Sequence, residues 1–281
     1  MSLNRKLKTK MKFIKCLLLI LIIVSCQTKK ENKKAILNSN TNTKEFQNKA
    51  HELVYNMVQK AGTYQDLINK KDVVYTYTYT TPDGKTDIST EKYVFNGELS
   101  YGEYIKHERT FPQIKAVIEQ GYDGENYWLK SKDSVFTDEK LLKIVAFKRP
   151  TNFYWFTMFQ KLLDPGLNYE YKGERSIDTK KYDVINVSFS SDEPTDIYQI
   201  FINKETGLVD QFLFTVADFG IVDEPRIMQV EYEKIDGMLI PSKRKYKKSD
   251  WNATISDKPW ITVNWTNIKF DNGLTKDDFV L

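Results

Sequence analysis

Two different spacings of apolar residues divide the chain beyond residue 43. Between residues 44 and 61, apolar side chains recur three and four positions apart, which places them on one face of a helix. They are Ala50, Leu53, Val54, Met57, Val58 and Ala61. Gly62 is a suitable end for this helix, because glycine accepts the left-handed backbone at which many helices stop. From Asp72 onward the spacing changes to every second residue, which predicts strands.

The alternating pattern continues almost to the end of the chain. Short turns such as Asp83-Gly84, Asn96-Gly97 and Asp236-Gly237 separate the runs, and turns of this type connect antiparallel strands. The predicted strands cover 72–80, 88–95, 99–108, 114–122, 127–131, 169–175, 182–190, 197–202, 208–217, 227–235, 238–246 and 260–271. We therefore predict a mainly β chain with a few helices (α+β). Residues 44–281 would form one domain on a large, curved antiparallel sheet.

An apolar segment interrupts the strands between residues 137 and 166. Leu141, Leu142, Ile144 and Val145 predict a short helix. Residues 149–152 separate it from a second predicted helix. Asn152 is a suitable N-cap for this second helix, which ends at Pro165-Gly166. This second helix is apolar on nearly every side, so it must contact apolar groups on more than one side. It is either a core helix that fills the concave side of the sheet, or a lid or wall of a lipid-binding cavity. The candidate ligand-binding residues are Phe153, Trp155, Phe156, Phe159, Leu162 and Leu163.

The first 25 residues have the three parts of an export signal. A basic stretch without acidic residues precedes an apolar run from Cys16 to Val24, which is shorter than the roughly 20 residues of a membrane-spanning helix. The sequence 23–26 resembles a bacterial lipobox, which predicts cleavage before Cys26 and lipid attachment to its sulfur. The alternative is an ordinary cleaved signal that contains a cysteine. Residues 26–43 are polar and predict a flexible tether, and Met11 is a second possible start.

Charge and cysteine content restrict the function of the exported part. The full chain has 42 Lys and Arg against 38 Asp and Glu, and six of the basic residues lie in the predicted signal. Without them the chain is slightly acidic, which argues against nucleic acid as a partner. The chain has 2 cysteines, and Cys16 lies in the discarded segment. An intramolecular disulfide is therefore excluded.

The sequence gives no catalytic signature, so we predict that the protein is not an enzyme. It contains no G-x-S-x-G, H-E-x-x-H, glycine-rich phosphate loop or C-x-x-C motif. Its 2 histidines, His51 and His107, have no further candidate zinc ligands near them in the sequence. We predict no metal and no cofactor. An enzyme would need a site assembled from distant residues.

Three passages resemble hairpins of the LolA/LolB-like group of periplasmic lipid and lipoprotein carriers, the outer-membrane lipoprotein-sorting-like proteins. They are residues 202–210, 233–242 and 268–279, and the resemblance covers about 44–281. It implies a half-barrel sheet wrapped around helices, with an apolar interior that shields acyl chains from water. This chain departs from the soluble carrier of that group, since it is tethered and has extra sequence around 247–259.

Two hypotheses on function follow. The first is a membrane-anchored, non-catalytic lipoprotein that binds a lipid or lipoprotein acyl chain in a half-barrel cavity. The second is an interaction or scaffold lipoprotein of the cell envelope whose interior is filled. Both imply a lipid-anchored protein, on the outer membrane and facing the periplasm, because the residues after Cys26 lack the acidic cluster that marks surface export in some Gram-negative groups.

Overall fold

The alternating strand pattern builds one antiparallel sheet of thirteen strands in the computed structural model. The structure describes residues 45–132, 134–191 and 195–281. The predicted signal peptide 1–25, the lipidation site Cys26 and the tether 26–43 lie outside these residues and stay predictions. Residues Glu45–Leu281 form one compact unit. No helix in the described part of the chain is both long and apolar enough to cross a membrane.

The helices are α1 (Lys49–Ala61), α2 (Tyr64–Asn69) and α3 (Glu139–Lys161), and two short 3-10 turns cover Ala217–Phe219 and Lys276–Asp278. The strands are β1 (Asp72–Thr80), β2 (Thr86–Val94), β3 (Leu99–His107), β4 (Ile118–Tyr122), β5 (Tyr127–Ser131), β6 (Ser134–Val135), β7 (Leu167–Ile177), β8 (Lys180–Phe189), β9 (Ile197–Asn203), β10 (Val209–Val216), β11 (Ile221–Ile235), β12 (Met238–Lys248) and β13 (Ile261–Phe270).

The strand order explains why the sheet wraps around helices. Strands β1 to β6 run outward to one edge, strands β7 to β13 run back from the other edge, and β13 pairs with β1. The two edges, β6 and β7, are not paired with each other, so the sheet is not closed. Helix α3 follows β6 in the chain and precedes β7, so it spans the gap between the edges. The predicted mainly β fold, a half-barrel around helices, is confirmed.

Alternation along the strands gives the sheet two different faces. On the concave face, Ile200 and Phe212 belong to a core cluster that also contains Val54 of α1 and Phe159 of α3. The opposite, convex face has its own cluster of Tyr182, Val184, Phe201, Leu213 and Ile227. Trp251, Ala253 and Trp260 pack against this cluster, so the segment 249–260 covers the outside of the sheet.

Helix α1 protects an edge of the sheet. Its N-cap is Asn48, whose side chain accepts from the His51 backbone N–H and donates to the carbonyl of Tyr169 on β7 at 2.9 Å. The Gln47 side chain donates to the carbonyl of Leu167 on the same strand at 3.3 Å. Covering the free carbonyls of an edge strand prevents pairing with other chains. The helix begins at Lys49, later than the predicted residue 44, because Asn48 caps it.

Two further details differ from the sequence prediction. Helix α2 was not predicted, although Thr63 and Asp66 form a capping box that marks its start. Strand β4 begins at Ile118 rather than 114, because residues 108–117 form a loop. The ring of His107 holds this loop, with its two nitrogens 3.0 Å from the carbonyl oxygen of Phe111 and 2.9 Å from that of Ala116.

Candidate ligand-binding site

Helix α3 crosses the concave side of the sheet without a break. The two separate helices predicted around 149–152 are wrong: one helix runs from Glu139 to Lys161, and its N-cap is Asp138. Pro150 is exposed, whereas its neighbour Arg149 and the nearby Asn152 are buried against the sheet. A proline inside a helix costs about 3 kcal/mol. Contacts of the buried residues on both sides of Pro150 offset this cost.

Two of the candidate residues on α3 face the strands around β1. Phe153 and Phe156 are each 2% exposed and belong to the cluster formed with β1, β2, β12 and β13. The Phe156 ring stacks on Tyr75 with centroids 5.2 Å apart and on Trp265 at 5.2 Å. These rings are therefore part of a packed aromatic core.

The remaining candidates face the strands on the other side. Phe159 is 4% exposed and meets Phe212 edge-on with centroids 5.7 Å apart, and Leu162 is fully buried in the same cluster. Trp155 and Leu163 pack against this cluster but are only half-buried. As the sequence predicted, the second half of α3 contacts apolar groups on more than one side.

Side chains fill the centre of the half-barrel. Two surface grooves in the described part of the chain, of about 400 and 280 Å³, both lie away from these six residues. One is lined by Glu125, Asn126, Tyr127, Glu139, Leu142, Lys143 and Ala146, and the other by Ile105, Lys106, His107, Glu108, Pro112, Ile114 and Lys115. A ligand among the six residues would have to displace side chains.

A buried ion pair attaches the middle of α3 to the sheet. Arg149 donates to Glu91 on β2 at 2.8 Å, and both side chains are 0% exposed. Ser89 and Tyr93 also donate to the Glu91 carboxylate, at 2.6 and 2.9 Å, and Arg149 donates to the Tyr104 hydroxyl at 3.2 Å. Strand β3 has Gly102 at this point, where a Cβ would lie 2.7 Å from the guanidinium. The site therefore requires a residue without a side chain.

One end of the half-barrel is more open than its centre, and we name it the mouth. It is the end where β10 meets β11 and where β1 turns into β2. Side chains that face inward here are only half-buried: Tyr77, Phe147, Trp155, Val216 and Tyr246. At the rim, Phe219 is 64% exposed and lies edge-on to Phe147, with centroids 5.0 Å apart. The mouth is thus an aromatic surface within reach of solvent.

Cationic side chains converge at the mouth. The guanidinium of Arg109 lies 4.0 Å from the ring centre of Tyr79 and pairs with Asp87 at 3.2 Å. Burial, and then the charge of Arg109, lower the pKa of Lys148 on α3 to about 7. Arg226 lies two residues before Met228 on β11, so both side chains are on the concave face of the sheet. The arrangement favours an anionic group.

The two histidines make structural contacts. His51 stacks on Tyr169 with ring centroids 4.6 Å apart, and His107 holds the loop 108–117. Among the described residues, no group of three or more His, Cys, Asp or Glu side chains is arranged to hold a metal ion.

No family model and no curated protein matches this chain. Solved structures with a similar fold include a DUF1329 family protein from Desulfovibrio piger, at 12% identity and a TM-score of 0.48, over 82% of this chain and 97% of that one. A protein domain from Vibrio parahaemolyticus, described as outer membrane lipoprotein-sorting, has 9% identity and a TM-score of 0.47, over 81% and 94%. A LolA superfamily protein from Nitrosomonas europaea has 11% identity and a TM-score of 0.45, over 79% and 99%. The likeness is one of fold, and it includes the group that the sequence resembles.

The sequence analysis missed the polar groups of the interior. Glu91 and Asp87 lie on a strand whose side chains alternate between the core and the solvent face. Both carboxylates point to the core, whereas carboxylates usually lie on the solvent face. That conflict is the one signal in the sequence that could have indicated these buried carboxylates. The alternation of Ser89, Glu91 and Tyr93 puts all three on one side of β2, and Tyr93 marks that side as the core.

Proposed function

We propose that this protein is a membrane-tethered, non-catalytic carrier that binds an acyl chain on the concave side of the half-barrel. The observation that carries the proposal is the position of the second half of α3. It lies between two apolar clusters of an unclosed sheet, with Trp155 half-buried at the mouth. An acyl chain that enters there displaces apolar contacts between side chains and forms apolar contacts with the same side chains in their place. Burial of its own surface then contributes about 25 cal/mol per Å².

Cys26 and the tether complete the proposal. A lipid on Cys26 would keep the half-barrel close to a membrane of the cell envelope, and acyl anchors of two or more chains hold firmly. The predicted tether would give the domain room to reach that membrane. The resemblance of residues 202–210, 233–242 and 268–279 to lipoprotein-sorting proteins supports the same role.

The second candidate is a scaffold protein with a permanently filled core. The burial of Phe153, Phe156, Phe159 and Leu162 to 4% exposure or less favours it. The two candidates differ in one property, which is whether an acyl chain reaches the concave side of the sheet.

Tryptophan positions make this property measurable. Trp155 is half-buried on the concave side, whereas Trp260 is half-buried against the convex cluster. Bromine atoms on an acyl chain quench indole fluorescence at short range. The chain from Gln27 to Leu281 retains every strand and core cluster described above, and it can be titrated with dibromostearate below the micelle concentration.

We expect dibromostearate to quench the fluorescence of the parent chain. Trp155→Phe should remove a large part of the quenching, while the matched control Trp260→Phe should retain it. No saturable quenching in the parent chain, or equal quenching in both variants, would contradict an acyl site on the concave side. The scaffold hypothesis would then be the better account. Melting curves of both variants show whether either substitution has disturbed the fold.

A further inference from the structure

The mouth combines an aromatic surface with three cationic side chains. Arg109, Lys148 and Arg226 come from three different elements: the loop after β3, helix α3 and strand β11. Tyr79, whose ring contacts Arg109, bonds through its hydroxyl to that of Tyr246 at 2.5 Å, and Tyr246 lies on β12, two strands away along the sheet. Tyr246 lies opposite Met228 in the β11–β12 register, one same-face step from Arg226. Arg109 and Arg226 thus lie beside the paired tyrosines, and Lys148 is close enough to Arg109 to feel its charge.

Among the described residues, one carboxylate, that of Asp87, lies within ion-pair distance of one of these three cations. Asp87 pairs with Arg109, and the hydroxyl and backbone N–H of Thr110 also donate to it. Among the described residues, no ion pair within 4.0 Å involves Lys148 or Arg226. At the rim, Asp196 accepts from the backbone N–H of Ala217 at 2.7 Å.

Two of the cations also have buried donors without an acceptor. Nε of Arg109 and Nη1 of Arg226 are buried and have no hydrogen-bond partner among the described residues. A buried N–H that lacks an acceptor is costly, and most such groups in proteins are paired. By contrast, the deeper cation Arg244 donates to the carbonyls of Pro241 and Trp155 and lies 3.9 Å from the Trp265 ring centre. Buried donors without a partner also occur elsewhere among the described residues, at Nε of Arg149, Nε2 of Gln120 and Nε1 of Trp265, but at the mouth two of them belong to neighbouring cations.

We propose that the mouth binds the anionic headgroup of an amphiphile, a phosphate or carboxylate, between Arg109, Lys148 and Arg226. Such a group has several acceptor oxygens in a fixed geometry, and guanidinium and ammonium groups bind these strongly. The half-buried rings of Tyr77, Phe147 and Trp155 take the first part of the acyl chain. The inference rests on the proposed function, and it adds the substrate class: acidic rather than zwitterionic or neutral lipids.

The test compares headgroups on the same acyl chain. Lysophosphatidylglycerol and lysophosphatidylcholine, both below their micelle concentrations, compete with a fluorescent fatty acid for the chain from Gln27 to Leu281. Inorganic phosphate alone is a third competitor. We compare the parent with Lys148→Met and Arg226→Met. Lys243→Met is the control, since Lys243 is exposed on the same strand as Tyr246.

We expect the anionic lysolipid to bind about tenfold more tightly than the zwitterionic one, as for one charged hydrogen bond gained. Lys148→Met and Arg226→Met should remove this preference, and Lys243→Met should retain it. Equal affinity for the two lysolipids in the parent would overturn the headgroup site and leave the acyl-chain function standing. If inorganic phosphate competes as strongly as the anionic lysolipid, the acyl chain adds nothing to binding, and the proposal that the ligand is an amphiphile is overturned. If no acyl compound binds, the proposed function itself fails.

Discussion

The ion pair between Arg149 and Glu91 gives the sharpest test of how α3 is held in the half-barrel. Both side chains are 0% exposed and their charged atoms are 2.8 Å apart. Arg149→Met leaves the Glu91 carboxylate buried, with only the Ser89 and Tyr93 hydroxyls to donate to it. Removal of one partner of a buried pair costs about 3–5 kcal/mol. For a domain of this size, the melting temperature should fall by about 6–20 °C.

The double variant Glu91→Met/Arg149→Met separates loss of the pair from loss of volume. Apolar residues of similar size can replace a buried pair at little cost, because both desolvation penalties disappear together. The double variant should therefore be more stable than Arg149→Met alone. The surface pair of Lys172 and Glu170, at 3.1 Å and well exposed, provides the control. Lys172→Met should change the free energy of unfolding by about 1 kcal/mol or less.

Urea unfolding of the chain from Gln27 to Leu281, followed by tryptophan fluorescence, measures four variants: Arg149→Met, Glu91→Met, the double variant and Lys172→Met. The slope with urea should stay constant, so that a shift in midpoint reports stability alone. If Arg149→Met loses less than about 1 kcal/mol, the pair does not hold α3, since a buried unpaired carboxylate would cost more. A double variant as unstable as the two single losses added together would refute the coupling of the two residues.

Two further predictions concern charge and anchoring. Burial, together with the charges of Arg109 and Arg149 and against those of Asp87 and Glu91, lowers the pKa of Lys148 to about 7 from 10.5. Between pH 7 and 10.5 the unfolded chain binds more protons at Lys148 than the folded chain does. The contribution of Lys148 to the free energy of unfolding therefore rises with pH from about 7 and is lowest below pH 7. Lys148→Met should thus be more stable than the parent at pH 6, with the difference shrinking by pH 9; a constant difference in melting temperature would refute this. Cys26→Ser should block lipidation and leave the protein uncleaved or mislocalised, and recovery of an acylated protein of mature length in the membrane fraction would refute the lipobox.

Most strands could be predicted from the sequence because they face apolar core on at least one side, whereas β6, exposed at both residues, was not predicted. Tyr75, Tyr77 and Tyr79 alternate with threonines, and such a period of two is a local signal. Turns of the Asp-Gly and Asn-Gly type then give the antiparallel order. The wrong bounds fall where a side chain acts at a distance. The His107 ring, for example, holds residues 108–117 as a loop and delays β4.

The continuity of α3 could not be predicted locally. Pro150 removes one helical hydrogen bond, which is a reason to end the helix there. The opposing contribution comes from Glu91, 58 positions away in the chain. Likewise, Arg109, Lys148 and Arg226 belong to three elements that are distant in the chain and reach one mouth only in the folded protein. Their separate positions in the sequence gave no pattern to detect.

A filled interior and a carrier function are compatible if a ligand begins at the mouth. Displacing Phe156 would expose rings that now stack on Tyr75 and Trp265, and each exposed aromatic side chain costs about 1.5–3 kcal/mol. At the mouth, Tyr77 and Trp155 are already half-exposed, so an acyl chain that covers them gains burial without that loss. The cations at the same place add an attraction that a neutral chain lacks. We therefore expect an acidic amphiphile to bind the mouth first, with its acyl chain reaching deeper only as far as α3 moves aside.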